Sequence, residues 1–280
     1  TQMLKMAEHF PLRDFGFHSL KSIHVMTEIE KLSFADRAKH LGDPDFYNVP
    51  KNSLIDSSYL LKRSNKINMN STISSTAIYA GKFNLKESEE TTHFSIVDEY
   101  GNASSLTTTL NGSFGSGIIV DGAGFLLNNE MDDFSIQPGY PNMYGLIGGE
   151  ANAVEPSKRM LSSMTPTILE KDGNLFMVLG TPGGSTIITA VFQTIINVVD
   201  YDMSIEQAVN SPRFHHQWYP DEIKLEKDIA KDSNLIIQLK AMNHQLNFVS
   251  SMNRVDAILV KKNKYFGGAD NRGDDHVSFF

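Results

Sequence analysis

Between Glu90 and Thr91 the texture of the chain changes, and that change limits what these 280 residues can fold into. Ahead of it, apolar residues recur at helical spacing. From Ser19 to about His40 they fall at Leu20, Ile23, Met26, Ile29 and Leu32, with Ser19 placed to cap the helix and Gly42 to stop it. A second short helix is expected from Ser53 through Leu60 and Leu61. Residues 64–90 are rich in Ser, Asn, Thr and Lys and read as an extended, partly mobile connector ending in the acidic stretch Glu87-Ser88-Glu89-Glu90. After Thr91 the pattern is that of β-strands: HFSIVD and ASSLTTTL flank the turn Glu99-Tyr100-Gly101-Asn102. A pairing centred on Tyr100 sets Thr91 opposite Thr109. Further strands are expected at 124–128, 165–169, 174–179 and 257–261, and a long helix from Ser185 to Val199. Strands and helices segregated in this way predict α+β layers.

Charge and composition exclude several classes. A net charge of −8, from 25 Lys and Arg against 33 Asp and Glu, with no basic cluster interleaved with aromatics, leaves no footprint for nucleic acid. The absence of cysteine removes disulfides, thiolate metal sites and a cysteine nucleophile. The longest apolar run, Ile187 to Val199, is interrupted by Thr, Gln and Asn and falls short of the roughly 18 residues of a membrane span. The opening TQMLKMAEHF reads as the interior of an amphipathic helix, so a native N-terminus and any signal peptide are expected upstream of Thr1.

A threonine hydroxyl in mid-chain has no base of its own. Cleavage before Thr91 would free an α-amine, with a reference pKa of about 7.7, to act as general base for that hydroxyl. Taken alone, Thr91 and Thr92 are as well explained as β-branched residues opening a strand. Three further clusters bear on the choice. Thr109 and Asn111 are expected on one face of the second strand, by its period of two, beside Thr91. FLLNNEMDDF brings Asn128, Asn129, Glu130, Asp132 and Asp133 out together at a strand end; it lacks the alternation and glycine of a calcium loop, though a helix cap would also account for it. Gly183-Gly184, between a strand and an apolar helix, can aim backbone N–H groups at an anion, or form a plain tight turn. No phosphate-loop pattern GxxxxGK[ST] is present. The adjacent His215 and His216 point apart and read as structural, Trp218 and the methionines as packing, and Asp270, Arg272, Asp274 and Asp275 as internal ion pairing.

Seven segments carry a resemblance. TTHFSIVDEYGN, TTTLNGSFGSGI, LLNNEMDDFS, MYGLIGGEANAV, KRMLSSMTPTI, GTPGGSTIIT and NSPRFHHQWYPDE, in this order, resemble the γ-glutamyltranspeptidases across residues 91–280, and FADRAKHLGDPDF resembles the end of that family's large subunit. The resemblance implies an N-terminal-nucleophile hydrolase fold, a four-layer αββα sandwich, in a precursor that cuts itself between Glu90 and Thr91. Residues 1–90 would be the end of the large subunit and 91–280 the small, catalytic one. Thr91 would be nucleophile and new N-terminus, oriented by Thr109. Asn111, Glu130 and Asp133 would hold the α-amino end of a γ-glutamyl group, and Ser162 and Ser163 its carboxylate. Gly183 and Gly184 would form the oxyanion hole, and Tyr144 would sit on a lid loop. Glu130 stands where some bacterial relatives carry Gln. The family's carboxylate-clamping arginine would precede Thr1, so the rest of the large subunit is an expected partner and this chain reads as a fragment or component of a larger polypeptide. The implied reaction is γ-glutamyl transfer from glutathione or a similar donor to water, an amino acid or a peptide. No cofactor is implied, and the implied compartment is periplasmic or extracellular. The alternatives are a cephalosporin acylase, a poly-γ-glutamate-cleaving relative, or an unprocessed, catalytically silent scaffold.

Overall fold

The computed structural model describes residues 1–81, 93–112 and 114–279. The first part is helical: α1 (Gln2–Ala7), α2 (Leu12–Phe15), α3 (Leu20–His40), α4 (Lys51–Leu54) and α5 (Ser57–Ser64). The second contains β1 (Phe94–Val97), β2 (Ala103–Leu106), β3 (Thr167–Lys171), β4 (Asn174–Gly180), α6 (Ile187–Val199), α7 (Ile205–Asn210), β5 (Phe214–His215), β6 (Ile223–Glu226), α8 (Ser233–Ala241), β7 (Leu246–Val249), β8 (Asp256–Lys261) and β9 (Lys264–Gly268).

Ser19 caps α3 as its sequence position suggests: its Oγ accepts the Ser22 N–H at 3.1 Å. The helix is buried on every side from Ser22 to Ala38, polar residues included, so it runs through a core rather than along one. Gly42 is not its stop. Leu41 already turns the chain into extended backbone, and Gly42 is required because a Cβ there would meet the Ala151 carbonyl oxygen at 2.1 Å. The expected second helix is two, because Asp56 starts a new one by accepting the Tyr59 N–H at 3.0 Å. Nor is the connector loose over its described part. Ile67, Ser75 and Ile78 are buried, and the Thr72 N–H donates to the Met242 carbonyl at 2.9 Å. The polar residues of that segment satisfy backbone and buried side chains, which composition alone does not distinguish from solvation.

β1 and β2 form the expected hairpin, with Phe94 opposite Leu106 and Val97 opposite Ala103. Its turn is held by Asp98, whose Oδ1 accepts the N–H groups of Tyr100 and Asn102. The antiparallel sheet β3-β4-β8-β9 lies beneath it. One face of that sheet packs Met177, Leu179, Ala257 and Leu259 against Ala190, Val191 and Ile195 of α6 and Ile205 and Val209 of α7. Val178, buried on the opposite face by the strand period, faces the hairpin side. There Ser105 Oγ donates to the Leu179 carbonyl and accepts the Thr167 N–H. Helix, sheet and second sheet thus stack in order. A second core gathers α1, α3 and α5 with Phe192, Phe214, Ile223, Leu225 and Leu239, beside the small sheet β5-β6-β7.

The strand expected at 124–128 does not form. Gly115, Gly117, Gly122 and Gly124 all take positive φ, and the segment keeps only the bridge between Ile119 and Leu126. β3 starts at Thr167, after Pro166, and α6 is entered through a 3-10 turn at Gly184–Thr186.

Candidate active site

Residues 107–163 contain little regular structure, and their backbone is fixed by side chains instead. β2 ends at Leu106, so Thr109 and Asn111 do not share a strand face. Asn111 takes φ +68° and its N–H donates to Thr109 Oγ1 at 2.8 Å, a local bond that replaces the ladder. Both residues nevertheless line one cavity of about 660 Å³ together with Asp133, Tyr144, Ser162, Ser163, Gly183 and Gly184. Asn128, Asn129 and Asp132, singled out in the sequence, are absent from this wall, and so is Glu130. It begins the 3-10 turn Glu130–Asp133, its N–H on Asn128 Oδ1 at 3.0 Å. Glu90 and Thr91 lie outside the described residues. The hairpin enters at this cavity all the same: His93 Nδ1 is 3.0 Å from Oγ1 of Thr107, another wall residue, and its Nε2 is 2.8 Å from Ser95 Oγ. Burial lowers the His93 pKa to about 4, so its ring is neutral at pH 7.

Asp133 carries a charge into this cavity and Arg37 lies behind its serines. Burial raises the Asp133 carboxyl to about 6, Arg37 opposes that shift and Asp132 adds to it. Arg37, on α3, has its own pKa lowered by burial to about 10. Its Nη2 donates to Ser163 Oγ at 2.9 Å and to the Ser162 carbonyl at 3.3 Å. Since Ser163 Oγ accepts from Arg37, its own O–H is left to donate. Asn152 ties the two walls together: Nδ2 donates to the Asp133 carbonyl at 2.7 Å and Oδ1 accepts the Leu161 N–H at 2.9 Å. Arg159 anchors the serine segment from the other end through Asp43, with contacts of 2.7 and 3.0 Å. That pairing holds the Asp43 carboxyl well below the usual carboxylate range.

Gly183 and Gly184 take φ +136° and +63°, and among the described residues nothing accepts from either N–H. A Cβ on Gly183 would lie 2.1 Å from Asn253 Nδ2, and one on Gly184 2.7 Å from the Tyr144 ring. Tyr144 therefore closes over the glycine turn. Its O–H donates to the Asn111 carbonyl at 2.8 Å, and its carbonyl accepts from Gln217 Nε2 at 2.9 Å. Gln217 in turn takes Ser185 Oγ and faces His215 Nε2, which gives the buried histidine the structural part its sequence position suggests. Arg37, Asn152 and Gln217 were not singled out in the sequence. Each sits in a recognisable segment, but no spacing rule connects them to residues far away in the chain.

The chain has the N-terminal-nucleophile hydrolase fold. It superimposes with a TM-score of 0.81 on a cephalosporin acylase from Bacillus halodurans, over 99% of this chain and 49% of that one, at 22% identity, a likeness of fold alone. The family model for gamma-glutamyltranspeptidase matches residues 1–280, and this chain belongs to that family. It is 44% identical over 279 residues to the glutathione hydrolase proenzyme of Escherichia coli, covering 99% of this chain and 48% of the relative. To the proenzyme of the same description from Pseudomonas aeruginosa it is 46% identical over 258 residues, covering 91% and 46%. The crystal structure of the Helicobacter pylori gamma-glutamyltranspeptidase T380A mutant matches at 52% identity and TM-score 0.63, over 65% of this chain and all of that one. This chain spans about half the length of the curated relatives it matches.

Proposed function

We propose that this chain carries the catalytic half of a γ-glutamyl transferase and glutathione hydrolase, and that Thr91 is its nucleophile once the bond between Glu90 and Thr91 is cut. The observation that carries the reading is the single cavity onto which seven separate segments of the chain converge. Asp133, Ser162 and Ser163 line it beside Gly183 and Gly184, and the buried Arg37 holds Ser163 from behind. That arrangement suits a zwitterionic amino-acid head: its ammonium at Asp133, with Asn111 and Glu130 nearby, and its carboxylate at the serines. An acyl group without an ammonium would leave Asp133 unanswered, which disfavours the acylase alternative. The hairpin register, Phe94 on Leu106, is the one that pairs 91 with 109 if carried three residues further.

In the first half-reaction Thr91 Oγ attacks the γ-carbonyl, its proton passing to the Thr91 α-amine, while Gly183 and Gly184 hold the oxyanion. Collapse breaks the amide, the leaving amine takes that proton, and a γ-glutamyl ester remains. Water, an amino acid or a peptide then repeats the sequence in reverse. Cleavage uses the same hydroxyl on the Glu90 carbonyl, an N-to-O acyl shift completed by hydrolysis. On this reading residues 1–90 belong to a large subunit, whose remainder is a partner, and 91–280 are the small subunit. The family likeness supports a periplasmic or extracellular place; among the described residues no helix is long and apolar enough to cross a membrane.

The test is Thr91→Ala in the full-length precursor. It is expected to stop both cleavage, read on a denaturing gel, and release of a γ-glutamyl anilide, while Thr91→Ser retains part of each. Normal processing of the alanine variant would remove Thr91 from the mechanism.

A further inference from the structure

Away from the active-site cavity, α3 and the turn after α8 bring together three groups that the reaction does not use. His24 and Glu28 stand one helical turn apart on α3, and His244 meets them from the other side. One ligand atom from each lies within 4.8 Å of the others, and all three residues are buried. We propose that His24, Glu28 and His244 bind a first-row divalent transition-metal ion, of the zinc type, that ties α3 to the turn between α8 and β7.

The hydrogen bonds set the imidazoles up for it. His24 Nε2 lies 2.8 Å from the Asn68 carbonyl, which can only accept, so the ring proton is on Nε2 and Nδ1 offers its lone pair. A backbone carbonyl fixing the far nitrogen of a histidine is the usual support of a metal ligand. His24 Nδ1 lies 2.8 Å from His244 Nε2, so a single proton occupies the space between two ligand nitrogens. An ion takes that place when His244 shifts its proton to Nδ1. Zinc–nitrogen bonds of about 2.0–2.1 Å at a tetrahedral angle need the two nitrogens to part by roughly half an ångström.

The charges around the site also call for a cation. Lys31, wholly buried, is 2.8 Å from Glu28 Oε1 and 3.7 Å from Asp221 Oδ1, so one ammonium answers two carboxylates. Its remaining contacts are neutral, to Thr72 Oγ1 and the Ile73 carbonyl. Glu28 Oε2 accepts the Ile73 N–H at 3.3 Å, a weak bond that leaves it able to ligate. His216, the other nearby titratable group, is turned to Asp221 at 3.3 Å and lowered by burial. An adjoining cavity of about 360 Å³, lined by Thr72, Ser74, His216, Asp221 and His244, gives the ion a way in and room for water as a further ligand.

His24 and Glu28 precede residue 90 and His244 follows residue 91, so on the proposed cleavage the ion joins the two subunits; that consequence rests on the proposed function, while the site does not. Untagged full-length protein, stripped of metal, is titrated with zinc by calorimetry and with cobalt by its visible bands, in both wild type and Thr91→Ala. One ion per chain and a raised Tm are expected in both. Either His24→Gln or His244→Gln should weaken binding by more than about tenfold, since even outer-shell partners are worth that much. Should one variant fail to fold, the other decides. Absence of saturable binding, or binding that survives both substitutions, overturns the site. Binding in an uncut wild type keeps the site and removes only its bridging part.

Discussion

Asp133 is pulled two ways, by burial toward the neutral acid and by Arg37 toward the carboxylate, with the balance at about 6. Only the carboxylate can answer a substrate ammonium. The kcat/KM for a γ-glutamyl anilide is therefore expected to climb as pH rises through about 6, and Arg37→Met, which removes the opposing charge, should move that limb upward. The sign for stability is opposite. Between the ordinary value of 3.8 and about 6 the folded chain holds a proton that the unfolded chain has lost, so ionising Asp133 lowers stability as pH rises. Asp133→Asn should thus cost on the order of 2–5 kcal/mol in transition-state binding, roughly thirty-fold to several thousand-fold in kcat/KM. At pH 8 its Tm should equal or exceed that of wild type, and cleavage into two subunits should continue, because the Glu90 carbonyl presents no ammonium. A variant that keeps its kcat/KM puts the substrate pocket elsewhere; one that blocks cleavage makes Asp133 structural.

The 3-10 turn Glu150–Asn152 is the element through which α3 reaches both walls of the cavity. Gly42 packs on the Ala151 backbone, with Cβ-to-oxygen and Cβ-to-carbon separations of 2.1 and 2.6 Å for any larger residue, and backbone cannot rotate away. Gly42→Ala is expected to push the turn and with it Asn152, losing about 1–3 kcal/mol of stability. It should also raise KM for the γ-glutamyl donor, because Asn152 holds Asp133 and Leu161 in register. A lower Tm with an unchanged KM would mean that the turn supports the fold alone. Gly42 also marks the limit of sequence reading. A glycine after a helical run is normally a stop signal, and nothing local reveals that a carbonyl more than a hundred residues away needs its space. Ser19 and the hairpin register were legible because cap and pairing are local. The 107–163 segment was not, since its shape comes from side-chain to backbone bonds such as those of Asn111 and Asn152, which have no period. The two-residue β5 is too short to carry a pattern of its own.

Across the whole molecule, residues before and after the proposed cut share one core. Met3, Ile23, Leu32 and Leu60 pack with Phe192, Phe214, Ile223 and Leu239, so severing the connector removes none of these contacts. Polar groups cross the same boundary. Glu30, wholly buried with its pKa raised by that burial, accepts from Gln193 Nε2 and from the His216 N–H. Arg37 reaches Ser163, and Arg159 reaches Asp43. Parting the subunits would break these bonds together with the shared apolar packing. The cut protein should therefore elute as one species under native conditions and resolve into two pieces only when denatured. Trp218, the one tryptophan of these 280 residues, reports on this directly, because its Nε1 donates to the Ser75 carbonyl at 3.0 Å across the cut. In a urea titration of cut protein, the emission shift, taken as the difference from Trp218→Phe, should coincide with dissociation followed by gel filtration. If the pieces part at a urea concentration where the Trp218 signal is still native, the shared core does not hold them, and each half folds on its own contacts.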